Sequence, residues 1–280
     1  MPELPEVETI VRGLRPALEG RRIEGLRFGK TDFIEDPARI ERELPGCRIA
    51  RVERYGKFLV VALEQTGRNG LALVIHLGMT GQLRVLQPEE PVAPHTHAFF
   101  ALDDGRELRY TDIRRFGRIA LLPAPLRERE FSRLGLDPLE MTPVEFRARL
   151  GARRARVKAL LLDQHVLRGV GNIYADESLW RARIHPARHA ARLKPAELSR
   201  LYRAIRRVLL YAIRLGGSTI SNYVGADGEP GWFQLRHRVY GREGKPCSRC
   251  GAAIRRILVA GRSSYFCPRC QPPPRFARRK

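Results

Sequence analysis

Acidic residues are scarce in this 280-residue chain: 30 Asp and Glu stand against 52 Lys and Arg, a formal net charge of +22. The shortage is local. Residues 1–50 carry ten acids against nine Lys and Arg, whereas residues 236–280 carry thirteen Lys and Arg and a single acid, Glu243. So one-sided a basic surface disfavours cationic ligands and fits a polyanion, with nucleic acid as the leading class. A heat-adapted or merely arginine-rich proteome is the alternative explanation and would fit part of the excess. No apolar run reaches the ~18 residues of a membrane span, and no charged-then-apolar signal segment opens the chain. The expected compartment is therefore the cytosol. Cysteine is also sparse, at five residues, and without an export signal a disulfide framework is disfavoured.

The cysteines that are present follow a spacing. Cys247-x2-Cys250, sixteen residues and then Cys267-x2-Cys270 is the pattern of a structural zinc site built from two knuckles on a hairpin. Four thiolates complete a tetrahedron and leave no position for water, so one Zn2+ per chain would hold structure and take no part in catalysis. Cys47 stands alone in an Arg/Ile-rich stretch and reads as a buried, inert thiol.

The chain is long enough for one large or two modest domains. Residues 5–18 read as a helix, with Pro5 in the first turn, Val7, Ile10, Val11 and Leu14 on one face, and Glu6 and Glu8 at the positive end of the helix dipole. Short strands follow at Arg48–Arg54, Phe58–Leu63, Leu71–Ile75, Gln82–Leu86, Ala98–Leu102, Glu107–Tyr110 and Gly117–Leu122, with a hairpin turn at Asp103-Asp104-Gly105. That succession predicts a β-sandwich or barrel. Pro123-Ala124-Pro125 and Gly135-Leu136-Asp137-Pro138 bracket an expected hinge, after which the pattern turns helical. A helix spans Val157–Asp163, another restarts near Asn172, and a long one runs from about Pro195, with Leu198, Leu201, Ile205, Val208, Leu209 and Ala212 as its core stripe. The Pro/Arg-rich residues 271–280 read as a disordered tail.

Chemistry concentrates at the start. Removal of Met1 would leave Pro2 as a free secondary amine, and α-amino groups have a pKa of about 8, so part is nucleophilic near neutrality. Attack of that amine on a sugar carbon gives an iminium ion, and Glu3 and Glu6 stand beside it as proton carriers. Met-Pro followed by a helix is also an ordinary way to begin a protein. The wording Pro2-Glu3-Leu4-Pro5-Glu6-Val7-Glu8-Thr9, however, resembles the start of the formamidopyrimidine-DNA glycosylases, bacterial enzymes that remove oxidised purines. Leu4 and Val7-Glu8 are similar to that branch and unlike the related endonuclease VIII branch.

The resemblance runs from Pro2 to about Gln271 and implies roles for specific residues. Pro2 is the expected Schiff-base nucleophile, with Glu3, Glu6, Lys57 and Arg262 as catalytic partners. Lys57 and His76 would bind phosphate near the flipped nucleotide. Gly169-Val170-Gly171-Asn172 looks like the turn of a helix–two-turn–helix, and Asn172, which alone reads as a helix cap, would grip phosphate. Arg262, between the cysteine pairs, would meet phosphate and assist the final elimination. Met79, Arg114 and Phe116 offer a wedge and a guanidinium for the hole left by an extruded base. His95 and Arg153 match further DNA contacts, Arg153 standing where some members carry Lys. Arg168 departs from the small or apolar residue common there, and is expected to add a phosphate contact or to face solvent. Gly216–Tyr223 resembles the loop that caps the extruded purine.

The expected architecture is a multi-domain α+β protein. An N-terminal catalytic β-sandwich domain with its helix covers residues 1–131, a helical helix–two-turn–helix domain 132–235, a four-Cys zinc finger 236–272 and a basic tail 273–280. The resemblance implies a bifunctional DNA glycosylase and abasic-site lyase of base excision repair, working as a monomer on damaged double-stranded DNA in the bacterial cytoplasm. It would excise 8-oxoguanine or formamidopyrimidines and cut the strand by β- and δ-elimination. Two rivals remain open: an endonuclease VIII-type enzyme acting on oxidised pyrimidines, and a non-catalytic zinc-ribbon nucleic-acid binder that leaves the N-terminus unexplained.

Overall fold

The computed structural model describes residues 1–65, 68–220 and 223–274. They form two compact units, one of residues 1–133 and 213–234, the other of residues 134–212 and 235 onward. No helix among the described residues is long and apolar enough to cross a membrane.

The first unit begins with helix α1 (Leu4–Leu18), whose entry is built by its own acids: Glu6 Oε2 accepts the backbone N–H of Glu3 at 2.8 Å. Two four-stranded antiparallel sheets follow. One has the order β2 (Arg48–Tyr55), β3 (Phe58–Gln65), β4 (Arg68–His76), β8 (Arg118–Leu122); the other has β1 (Ile23–Phe28), β6 (Thr96–Leu102), β7 (Glu107–Asp112), β5 (Gly81–Leu86). Register decides which face is apolar. Leu59 pairs with Ile75, Val61 with Leu73 and Leu63 with Leu71, so one period-2 face of β3 and β4 points into a single core. Phe100, Leu108 and Tyr110 of the other sheet enter the same core, and so does the α1 stripe Val7, Ile10, Val11, Leu14 and Leu18. Each such aliphatic side chain, fully buried, contributes about 1.5–3 kcal/mol. A sandwich core thus fixes α1, and with it the chain start.

The expected strands are all present, but β1 and helix α2 (Pro37–Glu43) lie in a stretch where no element was expected. The expected hinge holds helix α3 (Ala124–Phe131), whose Phe131 stacks on Tyr55 at 4.2 Å. The segment Ile213–Gln234, read from the sequence as part of the helical region, groups with the first unit. Tyr223 and Ala226 of the segment pack on the core of that unit, and Glu6 and Tyr223 bond across as described below.

The second unit holds helices α4 (Pro143–Gly151), α5 (Val157–Leu162), α6 (Asn172–Ala182) and most of α7 (Pro195–Arg214), then the hairpin β9 (Arg255–Val259) and β10 (Arg262–Phe266). A Thr142–Glu145 capping box starts α4. The disordered tail expected from residue 271 is corrected at its start: Gln271 is fully buried, accepting the Cys267 N–H at 2.9 Å and donating to the Ile184 carbonyl at 2.8 Å, while residues 275–280 lie outside the described residues.

Candidate functional site

In the first unit the chain start lies in a polar nest. Pro2, Glu3, Glu6 and Lys57 are all buried. The terminal amine recorded here belongs to Met1 and stands in for the amine that Pro2 would bear. Burial pushes it below the ordinary amine value against the pull of Glu3 and Glu6, with Lys57 and Arg114 adding to the depression. A lowered amine pKa raises the share of the neutral, nucleophilic form. Glu6 is spoken for: its Oε1 accepts the N–H of Ser218 at 2.7 Å while Oε2 holds Glu3. Tyr223 completes the link, donating to the Gly216 carbonyl at 3.0 Å and lying 3.4 Å from that of Glu6. Gly217 sits between them at φ 81°, where a Cβ would stand 2.8 Å from the Glu6 carboxylate. Glu6 therefore fixes loop 216–223 to the amine. Ser221 and Asn222 of that loop lie outside the described residues.

His76 ends β4, and its Nδ1 accepts the Gly78 N–H at 3.1 Å, which leaves Nε2 as the protonated nitrogen. Burial, then Lys57 and Arg118, hold its pKa down to about 4, so it is a neutral hydrogen-bond donor at pH 7. Met79, Arg114 and Phe116 meet on the surface. The Arg114 guanidinium lies 3.3 Å from the Met79 sulfur and 4.5 Å from the centre of the Phe116 ring, and Met79 and Phe116 are 41% and 57% exposed. Two exposed apolar tips flanking one arginine form a wedge.

A residue the sequence did not single out holds that wedge. Asp112 is fully buried, and its carboxylate accepts hydrogen bonds from Thr80 Oγ1, the Tyr110 hydroxyl and the N–H groups of Arg114 and Gly117. Its own N–H donates to the His95 carbonyl at 3.0 Å, tying exposed His95 to the same loop. Gly117 is obligatory, since a Cβ there would fall 1.8 Å from the Tyr110 hydroxyl oxygen. An Asp beside several turn residues was the available signal.

In the second unit Asn172 opens α6 and donates from Nδ2 to the Ser263 carbonyl at 3.0 Å, while Lys158 Nζ donates to the same oxygen at 2.8 Å. Asp176 pairs with Lys158 at 2.7 Å and accepts the Tyr265 N–H at 2.9 Å. Strand β10 is thereby pinned to α5 and α6 through Ser263, which exposed Arg262 directly precedes; the buried Oδ1 of Asn172 has no hydrogen-bond partner among the described residues. Exposed Arg153 follows α4 and donates from Nε to the Arg149 carbonyl. Arg168 corrects its expectation. Its guanidinium bonds the Gly135 carbonyl at 3.0 Å and faces Asp137 and Glu140 at 3.5 and 3.4 Å, so it neither faces solvent freely nor waits for a phosphate.

Cys247, Cys250, Cys267 and Cys270 bring their sulfurs within 4.8 Å of one another. Zn–S bonds of about 2.3 Å put tetrahedral sulfurs roughly 3.8 Å apart, so this donor set fits Zn2+. Trp180 Nε1 donates toward Cys247 Sγ at 3.5 Å. Glu177, buried and also unmarked in the sequence, accepts the N–H groups of Arg238, Val239 and Tyr240, which fixes the approach to the first knuckle.

Three family models match: the formamidopyrimidine-DNA glycosylase N-terminal domain over residues 1–119, the H2TH domain of that family over 134–224, and the zinc finger found in FPG and IleRS over 244–273. The formamidopyrimidine-DNA glycosylase of Solibacter usitatus is 46% identical over 273 residues, covering 97% of this chain and 99% of that one. The chain belongs to the formamidopyrimidine-DNA glycosylase family. Among solved structures, the MutM (FPG) protein of Thermus thermophilus is 46% identical, with a TM-score of 0.85 and coverage of 96% of this chain and 98% of that one. The Lactococcus lactis Fpg, solved with DNA containing an abasic site, is 34% identical, with a TM-score of 0.89 and coverage of 97% and 100%. The α+β fold, the helical H2TH region and the four-cysteine finger agree with the expectations from sequence.

Proposed function

We propose that this chain is a bifunctional DNA glycosylase and abasic-site lyase of base excision repair, acting as a monomer on damaged duplex DNA in the bacterial cytoplasm. Oxidised purines, 8-oxoguanine and formamidopyrimidines, are its substrates. The observation that supports this reading most is the chain start, where Pro2 is buried together with Glu3, Glu6 and Lys57.

Extrusion of the lesion costs a few kcal/mol, offset by the wedge of Met79, Arg114 and Phe116 entering the vacated stack. Pro2 attacks the sugar C1′. Glu3 moves protons as the base leaves and the ring opens, and Glu6 keeps the amine aligned. The resulting iminium acidifies the C2′ proton, whose removal expels the 3′ phosphate; a second elimination expels the 5′ phosphate with help from Arg262. Lys57, His76, His95, Arg153 and Asn172 bind the backbone. One Zn2+, held by Cys247, Cys250, Cys267 and Cys270, keeps the Arg262 hairpin in place. The functional domains are residues 1–131, 132–235 and 236–272, followed by the basic tail 273–280.

Borohydride trapping on a lesion duplex tests the chemistry, because an amine lyase leaves a covalent adduct. An N-terminal tag that is not cleaved turns the Pro2 nitrogen into a tertiary amide and carries the free amine out of the nest, which abolishes trapping. Normal trapping by a verified blocked chain would sink the mechanism. Comparing 8-oxoguanine with thymine glycol duplexes separates this reading from the oxidised-pyrimidine one.

A further inference from the structure

The far end of α6 carries a charge cluster that the chemistry above leaves unused. Arg181 and Arg183 close the helix, Arg183 in the left-handed conformation at φ 57°. Arg238 comes from the strap that Glu177 holds by its N–H groups, and Arg249 from the first cysteine knuckle. With Trp180 and Ser248 they line one concavity of about 560 Å³. Among the described residues, no ion pair engages any of these four arginines. Burial, and then Arg207, Arg249 and Arg238, hold Arg181 below its ordinary value.

The frame of this concavity is fixed by contacts that leave its guanidinium groups without an acidic ion-pair partner among the described residues. Arg249 lies 4.2 Å over the Trp180 ring and reaches the Trp180 carbonyl at 3.3 Å, and the Arg238 backbone is locked by Glu177. Guanidinium groups in such a frame present forked donors to a phosphate. Gathering like charges, offset only in part by buried Glu177 behind Arg238, destabilises the free protein, and a bound polyanion reduces that cost. A protein partner is a poorer fit, because interfaces are anchored by buried apolar side chains. The one apolar ring here, Trp180, is only 7% exposed and is already covered by Arg249.

We propose that this concavity is a second phosphate-backbone site for nucleic acid, separate from the end of α6 that bears Asn172. Arg181 lies nine helical steps beyond Asn172, about 14 Å along the axis at 1.5 Å each. Phosphates held there lie beyond those beside the lesion, so the site retains the protein on undamaged duplex and adds nothing to excision.

The double variant Arg183→Gln, Arg238→Gln tests it, since both side chains are exposed and neither belongs to the proposed catalytic or lesion-binding set. Zinc content and melting temperature report that the variant is folded. On a long undamaged duplex, the plot of log affinity against log salt becomes shallower by roughly 1.8, at about 0.9 per lost phosphate contact. Affinity at low salt falls on the order of tenfold or more. On a short lesion duplex that spans little beyond the damage, affinity and borohydride trapping match the parent. An unchanged slope on the long duplex overturns the proposal. An equal loss on the short lesion duplex also overturns it, because the cluster would then belong to the lesion grip. Poly-glutamate binding the parent as tightly as duplex, with the same loss in the variant, overturns the phosphate assignment. Because the slope is read on undamaged DNA, failure of the lyase chemistry would leave this result standing.

Discussion

A histidine that stays neutral can hold a phosphate only by donating a hydrogen bond, and this distinguishes His76 from its cationic neighbours. With its pKa held down to about 4 and Nδ1 engaged by Gly78, the ring offers Nε2–H and no charge at pH 7. His76→Ala should weaken binding to an abasic-site duplex by about 1 kcal/mol, an ordinary hydrogen bond, without changing the salt slope. Lys57→Ala or Arg262→Ala should flatten that slope by about 0.9 each. A full unit of slope lost in the His76 variant would show that the ring is charged when it meets DNA. The depressed pKa has a second consequence. Between about pH 4 and 6.5 the unfolded chain binds a proton that the folded ring refuses, so the contribution of His76 to stability is complete above about 6.5 and is lost as the pH falls through that window. Glu3 is separable by substrate. Glu3→Gln keeps the shape and removes the proton carrier, so excision of intact 8-oxoguanine should fall on the order of 10²–10⁴. Incision at a preformed abasic site, whose aldehyde condenses with Pro2 directly, should survive much better. Equal losses on both substrates would reassign Glu3 to the amine or the fold.

At the scale of elements, the wedge depends on one buried carboxylate. Asp112→Asn replaces an acceptor oxygen with a donor that faces either the Gly117 N–H or the Thr80 and Arg114 donors, leaving buried groups unsatisfied at a cost of about 1–3 kcal/mol. The loop carrying Arg114 and Phe116 loosens, so excision of a paired lesion should drop further than incision of an abasic site, which needs no base extruded. Matching losses on the two substrates would mean that Asp112 serves the fold alone. Its importance was hidden in the sequence because Asp112 resembles any other turn acid until its four donors are counted. The same limit hid Glu177, whose partners are backbone N–H groups 61 to 63 residues away. The main strands and helices were legible, since alternation and helical periodicity write the core face into the chain. Strand β1 was not: its burial is irregular, and a register shift between Ile23 and Gly25 breaks the period-2 pattern. Helix α2 escaped because it is seven residues long with one buried side chain, Ile40, although its Asp36 cap and Pro37 were visible signals. The cysteine knuckles needed no pattern beyond spacing, whereas the pinning of β10 by Lys158 and Asn172 is long-range and unreadable from spacing.

On the scale of the whole molecule, the two units differ in what holds them. The first has a sandwich core drawing on α1 and both sheets, which needs no metal. The finger in the second unit rests on a small cluster of Trp180, Val239, Cys247, Ile254 and Cys267, two of whose members are the proposed ligands themselves. So little apolar surface cannot offset the chain entropy of the hairpin without the metal. Cys267→Ser should therefore release the zinc and free β9 and β10 from their frame. Arg262 would lose its position beside the pinned Ser263, and binding to a lesion duplex would weaken. Calorimetry should find the transition of the sandwich unit near its parent temperature, while the transition of the second unit moves down or broadens. Chelation of the parent protein should reproduce the same pattern, because thiolate and metal are removed from one site by two routes. Zinc retained at one equivalent per chain in the variant, with unchanged DNA affinity, would count against the four-thiolate site. Loss of both transitions together would show instead that the sandwich depends on the finger, contrary to the separate cores seen here.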